Sequence, residues 1–175
     1  LLCGVISVCA LVYVCMRALR LPFVHDEGAT YLLFVLPGAS SLLDCYTAHN
    51  HFLNTILMYC SSKLFGNSEF ALRLPNVAFH AVFMAASFLF VRRRFSDAVP
   101  AVCAFIVLNM NLFVLDFFSL ARGYGIAMAL MMVSLFFFLR GVGGNEPDKK
   151  NVLSAFWCAG LAAFANLSFL NFLAG

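Results

Sequence analysis

The chain opens with LLCGVISVCALVYVCMRALR at residues 1–20 and continues LPFVHDE at 21–27. The first run is apolar except at its exit, where Arg17 and Arg20 can bury their stems and keep their charges in a polar layer. A membrane-spanning helix needs about 20 mostly apolar residues, and Leu1 to Leu19 has that length. Just beyond it, His25, Asp26 and Glu27 set an imidazole and two carboxylates beside hydrocarbon. Ionisable groups at membrane depth usually face a cavity or a reacting site. A solvated loop at the helix exit is the plain alternative.

The rest of the 175 residues reads the same way. The chain is 63% hydrophobic and 11% charged, with a mean hydropathy of +0.95. A soluble domain is about 45–50% apolar and about 25% charged. The expected fold class is therefore all-α, a polytopic transmembrane helix bundle. Spans are expected at about 1–19, 75–91, 98–115, 123–139 and 152–174, with an outer loop at about 21–74. Pro75 is expected to open its helix, where a missing N–H does no harm. The first run has no basic n-region and no convincing cleavage site before His25, which argues against a signal peptide. Both ends fall in apolar sequence, so the chain is expected to be the N-terminal part of a longer protein. The net charge of +3 comes without a basic stripe, and nucleic-acid binding is not expected. The seven Cys include no C-x-x-C and no zinc pattern; Cys45 and Cys60 are the one pair placed to bridge.

The segment from 21 to 74 is too apolar for an ordinary loop. Residues 28–43 are broken by Pro37-Gly38. From Phe52 to Phe65, Phe52, Leu53, Ile56, Leu57, Cys60 and Leu64 recur at helical spacing, with Asn54, Thr55, Ser61 and Ser62 on another face. This predicts an amphipathic helix, either lying in the membrane interface or half-buried against the bundle. It brings His49-Asn50-His51 to the Asp26 side. Orientation follows from the basic residues. Arg92-Arg93-Arg94, Arg140, Lys149 and Lys150 mark a cytoplasmic side; Asp26, Glu27, Asp44, Glu69 and Asp116 then share the other side.

A carboxylate at the membrane surface suits a general base, an Arg suits a phosphate, and a His with a carboxylate suits a divalent metal. These pieces fit group transfer from a phosphorylated lipid. The rival reading is an ion-coupled transporter or flippase-like protein. Transporters tend to place ionisable groups near the bilayer midplane, whereas here the charges gather at helix ends.

Residues 49–52, HNHF, and 63–76, KLFGNSEFALRLPN, resemble the H-P-P-L … K-L-F-G-x-S-E-F-A-L-R-L-P-S signature of GT-C membrane glycosyltransferases. That group includes the protein O-mannosyltransferase and lipid A aminoarabinose transferase relatives, with many bacterial members. Asp26-Glu27 matches its acidic pair in the first outer loop, and Ala121-Arg122-Gly123-Tyr124 is similar to its A-R-x-Y element. Two departures stand out. Asn50 and His51 replace the prolines, and Ser119-Leu120 stands where many relatives carry an acidic residue. The resemblance implies a polyprenyl-phosphate sugar donor, a lipid, glycan or protein acceptor, and inversion at the anomeric carbon. It also implies an active site on the non-cytoplasmic face of a bacterial inner or plasma membrane. By the same resemblance Asp26 is the catalytic base and Glu27 supports it. Arg122, Tyr124 and Asp116 fall on the substrate and phosphate side, and His49 falls where a divalent metal cation would be ligated.

Overall fold

A computed structural model describes residues 1–42, 51–144 and 146–174, and every regular element among them is helical. Asp44, Cys45, His49 and Asn50 lie outside the described residues; Cys60 is a free thiol. Helix α1, Leu2–Arg20, stops where Pro22 requires: the preceding Leu21 is extended, with ψ 133°. Helix α2, His25–Thr30, runs on into a wider π turn over Tyr31–Val35. Helix α3, Phe52–Phe65, has the expected bounds and ends at Gly66, whose φ of +85° suits glycine.

Helix α4, Glu69–Arg94, begins earlier than the expected 75–91. Ser68 caps it by accepting the Ala71 N–H at 3.2 Å, and Glu69 stands in its first turn. Pro75 therefore lies inside the helix rather than opening it. Its missing N–H would have bonded the Ala71 carbonyl, and the Ser61 hydroxyl of α3 donates to that carbonyl instead. The helix survives the proline because its neighbour replaces the lost bond.

The expected third span is broken. Helices α5, Ala98–Asn109, and α6, Leu112–Ser119, are bent by 51°. Asn109 donates to the Phe105 carbonyl and to the Ser87 hydroxyl of α4, and Asn111 caps α6 by accepting the Phe113 N–H at 2.9 Å. Two asparagines, each satisfying local backbone groups, divide an otherwise apolar run. Helix α7, Tyr124–Val142, packs along α4 and α8; α8 is Lys149–Ala165, and a short turn over Leu167–Phe169 and α9, Leu170–Ala174, follow it. The expected fifth span is thus interrupted at Asn166. Among the described residues α1, α4 and α7 are each long and apolar enough to cross a membrane, and the α5–α6 pair makes a fourth if counted as one span.

Large apolar side chains face outward as well as inward, and several polar groups are sealed among the apolar core. Val5, Val8, Val99, Val107, Phe113 and Trp157 are exposed, while Asn54, Thr55, Ser61, Arg73, Asn76, His80, Ser87 and Asn109 are buried. In α3 the polar face looks inward and Cys60 and Leu64 look out. Of the two expected placements the structure has the helix packed on the bundle, with Asn54, Thr55, Met58 and Ser61 buried and Leu53 and Leu57 against the core. With hydrocarbon as the solvent, hydrogen bonds between helices do the joining.

Ser61→Ala should destabilise the fold by about 0.5–2 kcal/mol in micelle unfolding. In a Pro75→Ala background the same change should cost less than half as much, because the background substitution returns a backbone N–H to the Ala71 carbonyl. Equal losses in both backgrounds would disprove the compensation.

Candidate active site

The ends of α1, α4, α6, α7 and α8 meet on one side of the bundle, and the sequence supplies a charged group at several of them. Glu27 and Arg73 are both fully buried. Arg73 Nε donates to Glu27 Oε1 at 2.9 Å and its terminal nitrogen to Oε2 at 2.6 Å. The remaining guanidinium N–H groups reach the carbonyls of Ala18, Leu21 and Pro22 at 2.6–3.0 Å. Glu27 also accepts the backbone N–H of Val24 at 3.2 Å and of Ala121 at 2.6 Å. Every oxygen of this carboxylate is taken, so it holds backbone in place and presents no lone pair to an acceptor. A buried pair is tolerable only when so completely matched.

The Ala121 peptide is gripped from both sides. Glu27 takes its N–H, and the Asn54 amide of α3 donates to its carbonyl at 3.0 Å. Asn76 of α4 donates to Asn54 at 2.9 Å, extending the network to a third helix. The next residue is Arg122, and its guanidinium forms an ion pair with Asp26. Both side chains are about a third exposed, at 33% and 37%. His25 lies on the open side of Asp26, its Nδ1 3.6 Å from Oδ1, with its side chain 96% exposed.

Aromatic rings back the guanidinium. Arg122 lies over the Tyr124 ring at 5.6 Å; Tyr124 stacks on Phe117 at 4.9 Å and meets His51 edge-on at 5.9 Å. The turn that places them depends on Gly123. Its φ is +76°, and a Cβ there would collide with the Ala165 carbonyl. Asp116 is held elsewhere: it pairs with Arg17 at 2.9 Å and ties α6 to α1. Thus Asp26, Glu27, Arg122 and Tyr124 come together, while Asp116 has its own partner. His49 lies outside the described residues. Among the described residues no three His, Cys, Asp or Glu side chains gather as a metal site.

In sequence Arg73 reads only as one of several outer-side cations. A stronger signal is nonetheless there. Arg73, Asn76 and His80 fall at i, i+3 and i+7 among apolar residues, which is one inward face of a membrane helix.

Arg73→Met should cost about 3–5 kcal/mol, because it leaves Glu27 buried without its counter-charge. Arg17→Met at the half-exposed Asp116 pair should cost about 1 kcal/mol or less. Comparable losses in micelle unfolding would mean that the Glu27–Arg73 pair is not the main brace.

The sequence matches the family model described as dolichyl-phosphate-mannose-protein mannosyltransferase over residues 52–168, about two thirds of the chain. No curated protein and no solved structure gives a match. The matched segment contains Arg73, Asp116, Arg122 and Tyr124 but not Asp26 or Glu27. Those two are joined to it through the Glu27–Arg73 and Asp26–Arg122 pairs. The chain belongs to the dolichyl-phosphate-mannose-protein mannosyltransferase family, membrane glycosyltransferases of the GT-C type.

Proposed function

We propose that the protein moves a sugar from a polyprenyl-phosphate donor to a lipid, glycan or protein acceptor, with inversion, on the non-cytoplasmic face of the membrane. The observation that carries this reading is the Asp26–Arg122 pair, part-exposed at the helix ends and braced by a buried network. Asp26 takes the proton from the acceptor nucleophile as that atom attacks the anomeric carbon. Arg122 holds the donor phosphate, whose charge grows as the sugar–oxygen bond breaks. A cation placed there favours the transition state over the ground state.

An in-line displacement needs base and leaving group on opposite faces of the sugar. The Asp26–Arg122 contact must therefore part when a donor binds. Competition supplies the means: the donor phosphate is also a bidentate partner for guanidinium, and when it takes Arg122 it frees Asp26 for the acceptor. Tyr124 and Phe117 limit where Arg122 can go. Glu27 acts through Ala121 as a positioning residue rather than a catalytic one. Asp116 braces α1 against α6. By the family resemblance His49 would hold a divalent metal, which would supply positive charge beside the donor phosphate. The side holding Arg92 to Arg94 is taken as cytoplasmic by the positive-inside rule, which places Asp26 outside.

Asp26→Asn keeps the shape and removes the proton acceptor. Sugar transfer from a labelled polyprenyl-phosphate sugar, assayed with the full-length protein, should fall by about 10²–10⁴-fold with donor binding retained. Arg122→Gln should weaken donor binding and lower turnover together. Near-parent turnover in Asp26→Asn would remove it as the base. His49→Ala should lose the sensitivity to a chelator that the parent shows; an unchanged response would remove the metal from His49.

A further inference from the structure

The end of the bundle remote from Asp26 carries Arg92, Arg93 and Arg94 on α4, Arg140 on α7, and Lys149 and Lys150 on α8, all exposed. None of these side chains makes an ion pair or hydrogen bond among the described residues. The nearby acidic residues in sequence are Asp97, Glu146 and Asp148, and Asp148 is occupied in capping α8 through Lys150 N–H and the Asn151 amide. Six cations therefore stand against three carboxylates at this end, and none of the six is held in an ion pair among the described residues.

The charge is not spread evenly. A cavity of about 320 Å³ opens between the ends of α4 and α7, lined by Arg93, Arg94, Leu139 and Gly143. At Gly143 a Cβ would stand 3.5 Å from the Arg93 guanidinium and 2.8 Å from the Leu139 carbonyl, so the glycine keeps the cavity wall low. Arg92 is turned aside, its guanidinium 5.8 Å from the Phe88 ring. The 26 residues of α4 make a rod of roughly 39 Å, longer than the hydrocarbon core of about 30 Å and close to the about 40–45 Å of a bilayer counted with its head-group regions. With its Glu69 end at one head-group layer, its arginines lie at phosphate depth in the other. Two planar guanidinium forks at that depth, beside an apolar wall, match a phosphate whose ester carbons enter the hydrocarbon.

We propose that this cavity binds the phosphate of an anionic phospholipid, with Arg93 and Arg94 on the phosphate oxygens and Leu139 against the glycerol end. Such a lipid would bridge the ends of α4 and α7, which both reach back to the Asp26 side. The site is independent of the transfer chemistry, since it lies at the opposite ends of those helices.

The test is native mass spectrometry of the full-length protein in mixed micelles with phosphatidylglycerol or phosphatidylcholine. One phosphatidylglycerol should stay bound, and phosphatidylcholine should not. Replacing both residues, Arg93→Gln with Arg94→Gln, should lower retention by roughly fivefold for each charge removed. The pair Arg93→Lys with Arg94→Lys keeps the charge and the orientation signal but removes the forks, and should also lower retention. Leu139→Trp fills the cavity without changing charge and should do the same. Unchanged retention in the lysine pair or in Leu139→Trp would overturn the site in favour of diffuse attraction. Equal retention of phosphatidylcholine, or displacement of the lipid by an equal concentration of inorganic phosphate, would overturn the lipid as its ligand.

Discussion

The buried Glu27–Arg73 pair is the constraint around which the rest is arranged. Two opposite charges with no solvent contact are expensive in a membrane bundle unless their remaining lone pairs and N–H groups are matched. Here the matching is done by backbone: the carbonyls at the end of α1 and the turn after it, the Val24 N–H at the start of α2, and the Ala121 N–H before α7. These bonds converge on one pair, which ties three separate stretches of chain to one another. Asp26 and Arg122 are the immediate neighbours of Glu27 and Ala121. Their pairing is thus set by a site that neither of them touches directly.

A second consequence follows from hydrocarbon as solvent. Apolar side chains gain little by leaving lipid for the bundle interior, so polar groups carry the specificity of packing. The inward stripe of α4 shows how this works along one helix. Arg73 meets Glu27, Asn76 meets Asn54, His80 packs against the Phe118 ring at 4.7 Å, and Ser87 meets Asn109. Each contact reaches a different element. The Pro75 gap is closed by the same means, through Ser61. Between these polar contacts the core is filled by residues such as Val14, Ala18, Phe83, Met84 and Ala129.

The two ends of the bundle are chemically unlike. One gathers carboxylates, a guanidinium and aromatic rings around a part-exposed Asp26; the other gathers cations over an apolar-walled cavity. Helices α4 and α7 run between the two.

Hydropathy and spacing determined the all-α membrane bundle, the helix at 52–65 to the residue, and Asp26 with Arg122 as candidates, because hydrophobic runs, helical periodicity and short motifs are local properties. The family resemblance was legible for the same reason, in the stretch from Lys63 to Asn76 and in Ala121 to Tyr124. Other features depended on neighbours. Hydropathy could not show that Pro75 lies inside a helix, since the bond that replaces its own comes from α3. It could not divide 98–115, since the break is stabilised partly by Ser87 of another helix. It left open whether α3 lies in the interface or packs on the bundle, because that choice depends on the partners waiting in α4 and at Ala121. Above all, Glu27 and Asp26 are adjacent and alike in sequence, yet one is sealed and saturated and the other is open. Only the tertiary structure separates them, because burial and hydrogen bonding to distant residues, not the identity of the side chain, decide what a carboxylate can do.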